Sequence, residues 1–277
     1  MAKLVSRLGH IAAEVKDFVD DRFSLARVRG AVTDALDVIF PPHGFEPHDD
    51  NPDRDGLMQS GIAAGAWSRI RFLADEGCDM CARPFQGGLH FGAGALCSAC
   101  VDKPFPFSRT RAACLYTEAS KDMILQFKHG DRLDLAPMLM RWLERAGADI
   151  FPAADALVPV PLHPSRLRQR RYNQAAELAR PLSKHVGCVF LPDGLKRIKA
   201  TKQQSHSAEL RWANVRTAFA VSKAGEKQVT GKHLVLIDDV FTTGATLRAC
   251  ANTLLKAGAK QVDAVVLARA VSQQQEL

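Results

Sequence analysis

A short apolar run that ends in two acids is the feature that most constrains how this 277-residue chain folds. Residues 233–237 are nearly all apolar, which is typical of a β-strand covered on both faces. Asp238 and Asp239 follow, then a stretch rich in threonine, and then a helical pattern over 246–257. The other predicted elements are strands at 111–117, 156–160 and 262–267 and helices at 119–128, 133–146 and 173–186. This alternation predicts an α/β fold with a parallel sheet and right-handed crossovers.

The two acids and the turn after them suit a sugar phosphate. In an open α/β sheet, ligands bind at the carboxyl ends of the strands, where Asp238 and Asp239 are expected. Residues 242–246 (TTGAT) place backbone N–H groups at a helix N-terminus, which favours a phosphate. Carboxylates instead accept hydrogen bonds from sugar hydroxyls. The segment therefore predicts a ribose 5-phosphate site, with the acids on the ribose and the turn on the phosphate.

Two other interpretations of this segment are a solvated acidic turn and the magnesium-binding strand of a nucleoside triphosphatase. The second requires a G-x-x-x-x-G-K-[ST] loop. The nearest candidate is residues 225–233, but five residues separate its glycines and His233 follows its lysine. Segment 235–246 instead resembles the phosphoribosyl pyrophosphate (PRPP) signature of the type I phosphoribosyltransferases.

PRPP also carries a pyrophosphate, whose charge the turn alone leaves uncompensated. A strand ending at Val160-Pro161-Leu162 presents backbone N–H groups to it, with the prolines fixing the turn. Arg197 and Lys202 lie in a polar segment that we expect to be a mobile loop closing over the ligand. A further basic cluster binds phosphate in bidentate geometry, or forms a solvated helix start, or faces DNA. It consists of Arg166, Arg168, Arg170 and Arg171.

Four of the seven cysteines form two close pairs, Cys78-x-x-Cys81 and Cys97-x-x-Cys100. Fifteen residues separate the pairs, and two such knuckles supply four thiolates to a structural zinc site. The alternative is a pair of redox dithiols. The other three cysteines stand in apolar surroundings and are predicted core residues: Cys114, Cys188 and Cys250.

Several further motifs accompany these features. They are VPVPLHP at 158–164, RYNQ at 171–174 and FKH at 127–129, with the cysteine pairs in front of all of them. In this order they resemble the ComF family of bacterial competence-associated proteins, over about residues 78–270. The resemblance implies a phosphoribosyltransferase fold with an N-terminal zinc ribbon, PRPP with Mg²⁺ as the ligand, and a setting in the uptake or use of external DNA.

The residue chemistry and the resemblance together define an expected site. The catalytic candidates are Asp238, Asp239, Arg197 and Lys202. The PRPP-binding candidates are Asp238, Asp239, Phe241, Thr242, Thr243, Gly244, Ala245, Thr246, Val160, Pro161 and Leu162. The zinc ligands are Cys78, Cys81, Cys97 and Cys100.

The chain is expected to have three parts. These are a helical and loop N-terminal extension at 1–60, a zinc-ribbon-like module at 61–110 and a phosphoribosyltransferase-type domain at 111–271. No apolar run approaches the ~18 residues of a membrane span, and early charges interrupt any signal-peptide core. We therefore expect a cytoplasmic protein without membrane insertion. The net charge of +7 favours an anionic partner.

Two functions are compatible with these features. One is an enzyme that transfers the phosphoribosyl group to a nitrogen nucleophile, which requires placed charges and Mg²⁺ more than a protein nucleophile. The other is a single-stranded DNA-binding accessory of natural transformation that uses PRPP as a regulatory ligand. Its stacking candidates are Tyr172 and Trp212, and its expected partners are competence helicase or translocation proteins. An amidophosphoribosyltransferase is not favoured, because it needs a terminal cysteine nucleophile and residue 2 is Ala.

Overall fold

The computed structural model describes residues 64–73, 77–85, 87, 91–129, 132–200 and 215–271. The predicted extension at 1–60, Lys202 and Trp212 lie outside the described residues. The boundary at residue 60 lies among the residues that are not described. The domain boundaries at residues 60 and 110 both stay predictions.

Five strands form one parallel sheet in the order β1-β7-β6-β2-β3, and two short strands form a separate antiparallel pair, β4-β5. The strands are β1 (Thr110–Leu115), β2 (Ala156–Pro159), β3 (Val189–Phe190), β4 (Lys196–Arg197), β5 (Phe219–Ala220), β6 (His233–Phe241) and β7 (Gln261–Arg269). The parallel α/β fold expected from the alternating pattern is confirmed.

The helices connect these strands. They are α1 (Ala64–Trp67), α2 (Ser98–Asp102), α3 (Glu118–His129), α4 (Ala136–Ala146), α5 (Pro164–Arg170), α6 (Gln174–Val186), α7 (Lys223–Val229) and α8 (Ala245–Lys256). Short 3-10 turns at Leu133–Leu135 and Phe151–Ala153 precede α4 and β2. The helices predicted at 119–128, 173–186 and 246–257 are confirmed to within one residue at each end, and the one at 133–146 begins as a 3-10 turn.

Both faces of the sheet are covered, which explains why its strands are apolar runs. Leu234 and Leu236 of β6 belong to one core cluster, whereas Val235 and Ile237 belong to the other. This alternation is the period of two that a β-strand imposes on its side chains. The first cluster includes α7 and α8, and the second includes α3, α4 and α6. One expectation was wrong: β6 does not end at Ile237 but continues through the two acids to Phe241.

The turn between α5 and α6 brings both helices to the carboxyl edge of the sheet. His163 caps the start of α5, where its side chain accepts a hydrogen bond from Ser165 N, and Arg171 caps its end in the left-handed conformation (φ 64°). Asn173 caps the start of α6, where its side chain accepts from Ala175 N. The basic cluster predicted from sequence therefore lies on a short capped helix beside the strand ends.

The cysteine pairs pack against the sheet instead of standing apart from it. Cys78, Cys81 and Cys100 are at most 2% exposed and belong to the same core cluster as Leu236 and Phe241. Cys114 and Cys250 are fully buried, and Cys188 is half-buried with its thiol against Ala154 O. The core positions expected for these three cysteines are confirmed.

Candidate functional site

The acidic pair, Asp238 and Asp239, diverges onto the two faces of the sheet because β6 continues through it. Asp239 Oδ2 lies 2.6 Å from Lys128 Nζ at the end of α3. Asp238 interacts electrostatically with Arg197. The backbone also orients both carboxylates, since Asp239 N donates to Asp238 Oδ1 at 2.9 Å and Val240 N donates to Asp239 Oδ1 at 2.7 Å.

Three cationic side chains interact with the acidic pair, and a fourth, Arg166, interacts with two of these cations. Lys128 pairs with Asp239, and Arg170 of α5 interacts with both acids. Burial lowers the pKa of Arg170 and of Arg197, and the charge of Arg166 lowers both further. Within the described part of the chain, these cations face two carboxylates, which leaves a local excess of positive charge. Such an excess favours an anionic ligand.

Arg166 is half-buried, and its charge acts on Arg170 and Arg197, two cations of the site. The DNA-facing role considered for Arg166 from sequence stays a prediction. Arg168, on the same helix, is exposed to solvent. The expectation that Arg197 lies in a loop was wrong. It pairs with Phe219 in the β4-β5 ladder, and its guanidinium lies 5.4 Å from the centre of the Phe219 ring.

The proline loop, residues 160–162, opens beside the acidic pair. Val160 N donates to Ile237 O at 2.9 Å, so this loop adjoins β6 at the residue just before the acidic pair. Asn173 Nδ2 donates to Val160 O at 3.1 Å, and Gln174 Nε2 donates to Lys128 O at 2.9 Å. These bonds fix the proline loop and Lys128 to the start of α6. The expectation that both loops open on the same edge is confirmed.

The threonine loop, residues 242–246, forms the N-terminus of the twelve-residue α8. Gly244 adopts a left-handed conformation (φ 76°), and a Cβ there would lie 2.5 Å from the Phe241 ring and 2.6 Å from the Phe105 ring. Only glycine fits this position. Thr242 is exposed and Thr243 is half-buried, whereas the Phe241 side chain is 1% exposed. The Phe241 side chain therefore supports the loop from beneath and is not exposed at the surface of the loop.

The raised pKa of Asp238 predicts that the stability of the unliganded protein depends on pH. Burial, reinforced by the charge of Asp239, raises the pKa of Asp238 from 3.8 to about 7. The native state then holds a proton that the unfolded chain has lost, so stability decreases as the pH rises from about 4 to about 7. The slope from this group is at most about 1.4 kcal/mol per pH unit. Urea denaturation measures the free energy of unfolding of the wild type and of Asp238→Asn at each pH. The two curves of free energy against pH should diverge between about pH 4 and 7 and run parallel above pH 7. Curves that are parallel at every pH would contradict the raised pKa.

The four cysteine sulfurs form a compact group whose Sγ atoms all lie within 4.8 Å of one another. Cys81 Sγ and Cys97 Sγ are 3.8 Å apart. A zinc tetrahedron with bonds of about 2.3 Å spaces its sulfurs about 3.8 Å apart, so the group fits Zn²⁺. The hydrogen bond with Cys81 lowers the pKa of Cys78 to about 4, whereas burial raises the pKa of Cys100 to about 12.

The backbone also forms the knuckle that the first cysteine pair needs. Cys78 N donates to Arg83 O and Ala82 N donates to Cys78 O, both at 2.8 Å. Gly77 bridges Pro84, and a Cβ on Gly77 would lie 2.8 Å from Arg83 O. This tight hairpin is typical of a zinc knuckle and not of two separate dithiols.

Comparison with known proteins agrees with this geometry. A model of the phosphoribosyl transferase domain matches residues 173–277, which include the acidic pair and the threonine loop. DNA utilization protein YhgH of Salmonella typhi is 34% identical over 207 residues, covering 69% of this chain and 89% of that protein. Competence protein F of Haemophilus influenzae is 30% identical over 218 residues, covering 67% and 95%. The chain belongs to the ComF family.

One solved structure shares a more distant likeness with this ComF protein. It is a glutamine PRPP amidotransferase from B. subtilis complexed with ADP and GMP, 21% identical, with a TM-score of 0.36. The match covers 52% of this chain and 30% of the other. Among the described residues of the ComF protein, no helix is long and apolar enough to cross a membrane.

The sequence alone indicated no individual role for three residues near this ComF site. Lys128 stood in the FKH motif, and Arg170 stood in a basic cluster whose members could not be separated by pattern alone. Arg269, only 5% exposed at the end of β7, carried no sequence signal, because one arginine after an apolar strand is ordinarily a solvated end. The stacking candidate Tyr172 is half-buried and donates its hydroxyl to Phe127 O at 2.8 Å, so it is part of the scaffold.

Proposed function

We propose that this ComF protein binds PRPP in the crevice between the acidic pair, the proline loop and the threonine loop. The observation that carries the proposal is the grouping of two carboxylates, four cations and a helix N-terminus at one edge of a parallel sheet. Ligands of open α/β sheets bind at this edge. Each part of the group matches one chemical part of PRPP.

The ribose lies in the middle of the proposed pose. Asp238 and Asp239 accept hydrogen bonds from its 2′ and 3′ hydroxyls, and the bond from Lys128 holds Asp239 in place. The 5′-phosphate lies against the N–H groups and hydroxyls of the threonine loop, at the positive end of the α8 dipole. The pyrophosphate lies against the proline loop, where Arg197, Arg166 and Arg170 supply positive charge. Lys202 is proposed to complete this end.

Mg²⁺ is the metal that suits this pose. It prefers oxygen ligands and keeps several waters, and it is usually bound through one or two carboxylates together with substrate phosphates. Asp238 and Asp239 are the carboxylates that would hold it with PRPP. When bound, the ion neutralises charge on the pyrophosphate oxygens, and it also offsets the repulsion that raises the pKa of Asp238.

We propose that the protein transfers or senses the phosphoribosyl group in DNA uptake or nucleotide metabolism. In transfer, the C1–O bond breaks, its electron pair leaves with pyrophosphate, and a nitrogen nucleophile forms the new bond to C1. Placed charges suffice for such a step, since positive charge accumulates on the sugar ring and negative charge on the leaving group. In the proposed pose the acidic pair lies beside the sugar ring and the arginines beside the leaving group.

Calorimetric titration tests the proposal. Mg²⁺-PRPP, ribose 5-phosphate and Mg²⁺-pyrophosphate are titrated separately into the wild-type protein. We expect one PRPP site per chain, and we expect ribose 5-phosphate and pyrophosphate each to bind more weakly and to compete with PRPP. No heat and no competition from any of the three would refute the proposed site.

A second candidate function is single-stranded DNA binding, with the competence helicase or translocation proteins as partners. One observation favours it: α5 divides its arginines between the crevice, where Arg166 and Arg170 interact with site residues, and solvent, where Arg168 is exposed. An exposed arginine on a basic helix suits a phosphate backbone. PRPP and DNA are then bound by adjacent surfaces of one helix, so titrations with both ligands together measure any coupling between them.

Charge removal separates the two surfaces. Arg197→Ala should weaken PRPP binding about tenfold or more, because a charge-assisted bond to phosphate contributes about 1.5–3 kcal/mol. It should leave single-stranded DNA binding within about twofold. Arg168→Ala should have the reverse pattern, and should also flatten the salt dependence of DNA binding. Fluorescence anisotropy with a labelled oligonucleotide and calorimetry with PRPP give both readouts. Unchanged PRPP affinity in Arg197→Ala would show that another group neutralises the pyrophosphate.

A further inference from the structure

A buried arginine joins the cysteine hairpin to the threonine loop. Arg269, at the end of β7, is 5% exposed. Its Nε donates to Cys81 O at 2.7 Å. Its Nη1 donates to Phe241 O at 3.0 Å and to Thr242 O at 2.8 Å, and also to Ala270 O. Its guanidinium also lies 4.4 Å from the centre of the Phe241 ring. One side chain thus binds the backbone of a zinc-ligand residue and the backbone of the loop that α8 follows.

These bonds determine which way the loop amides point. In a trans peptide the C=O and N–H groups point in opposite directions, and no described peptide bond is cis. The carbonyls of Phe241 and Thr242 point inward to Arg269, so the N–H groups of Thr242 and Thr243 point away from the core. Neither N–H donates to an acceptor within the described part of the chain. Both are therefore available to an anion at the crevice.

The cysteine region supports the same loop at a second point. A Cβ on Gly244 would lie 2.6 Å from Phe105 Cε1, so the start of α8 rests directly on the Phe105 ring. Phe105 N in turn approaches Met80 Sδ, inside the first cysteine pair, at 3.2 Å. The threonine loop therefore rests on residues whose positions depend on the cysteine hairpin.

We infer that Arg269 is a positioning residue that holds the threonine loop in its phosphate-binding form and couples that form to an intact cysteine site. The inference rests on the proposed phosphoribosyl site. According to this inference, binding at the 5′-phosphate end of the site requires zinc. Binding at the pyrophosphate end, which is formed by the proline loop and α5, does not require zinc. A merely structural arginine would affect both ends alike.

The test compares the two ends in Arg269→Met and Arg269→Lys. Both variants should bind ribose 5-phosphate about tenfold more weakly or worse, because neither side chain has the planar fork that satisfies several carbonyls at once. Both should bind Mg²⁺-pyrophosphate within about twofold of the wild type, since its proposed cations are untouched. Pyrophosphate binding thereby also reports that the fold is intact.

Zinc removal gives a second measurement that does not depend on a substitution. Wild-type protein stripped with a chelator should lose ribose 5-phosphate affinity to about the same extent as Arg269→Lys, and stripping the variant should add little, because the two changes act through one contact. Arg248→Ala is the matched control. Arg248 also contacts the cysteine region, at the Phe105 ring and Pro104 O, but donates to neither loop carbonyl. Its affinity for ribose 5-phosphate should stay within about twofold of the wild type.

The outcomes separate this inference from the proposed function. If the wild type binds neither ribose 5-phosphate nor PRPP, the proposed site itself is wrong. If the wild type binds both and Arg269→Lys binds ribose 5-phosphate equally well, the positioning role is wrong, and charge alone suffices. The coupling would also be overturned if Arg269→Lys lost as much affinity for Mg²⁺-pyrophosphate as for ribose 5-phosphate. It would likewise be overturned if zinc removal and the substitution lowered ribose 5-phosphate affinity additively.

Discussion

Replacing both acids, Asp238→Asn with Asp239→Asn, should abolish measurable PRPP binding and leave the fold intact. Each carboxylate is expected to accept a charge-assisted bond from the ribose and to hold Mg²⁺ with the ligand. Loss of two such bonds of about 1.5–3 kcal/mol each lowers the affinity at least about 100-fold. The fold should persist because the two charges repel each other, which is part of what raises the pKa of Asp238. Calorimetry with Mg²⁺-PRPP measures the effect.

The control for this double variant is Asp193→Asn. Asp193 is an exposed carboxylate outside the crevice, so its replacement should leave PRPP affinity within about twofold of the wild type. Circular dichroism and thermal melting report whether each variant is folded. A folded double variant with unchanged PRPP affinity would show that the ribose does not bind at the end of β6.

Zinc loss is the second change with a large expected effect. We predict one Zn²⁺ per chain at Cys78, Cys81, Cys97 and Cys100, measured by elemental analysis of purified protein. Cys81→Ser should lose the metal and destabilise the cysteine region, since binding of a structural zinc supplies on the order of 10 kcal/mol of folding free energy. The melting transition should fall or split, and protease should cut first within residues 77–107.

The matched control here is Cys188→Ser. Cys188 is a half-buried cysteine remote from the four-sulfur group, and its thiol donates to the backbone carbonyls of Phe151 and Ala154, which a hydroxyl also satisfies. This variant should keep its zinc and most of its stability. Purified wild-type protein without zinc, or zinc retained in Cys81→Ser, would contradict the assignment.

Much of the fold could be predicted because its strands are apolar runs covered on both faces. The apolar run Leu234–Ile237 can only be buried between two helical layers, and the residues after it then lie at the ligand-binding edge. Spacing likewise sufficed for the cysteine site, since C-x-x-C pairs impose a local knuckle. Both features are determined by sequence patterns that are only a few residues long.

The rest of the site could not be predicted because it depends on contacts between distant segments. Lys128 and Asp239 are far apart in sequence, and they meet only because α3 packs on the face of the sheet that Asp239 occupies. Arg166 and Arg168 are two residues apart on a short helix, and only the docking of that helix decides which one faces the crevice. Arg269 gains its partners from two segments that are distant from it in sequence, at Cys81 and at Phe241 and Thr242.

A crystal structure of the protein with Mg²⁺-PRPP tests most directly whether one crevice holds the whole ligand. The account predicts the 5′-phosphate on the N–H groups of the threonine loop and the ribose hydroxyls on Asp238 and Asp239. It places the pyrophosphate between the proline loop and Arg197. A ligand bound elsewhere, such as on the exposed face of α5 around Arg168, or one whose pyrophosphate occupies the threonine loop, would contradict it.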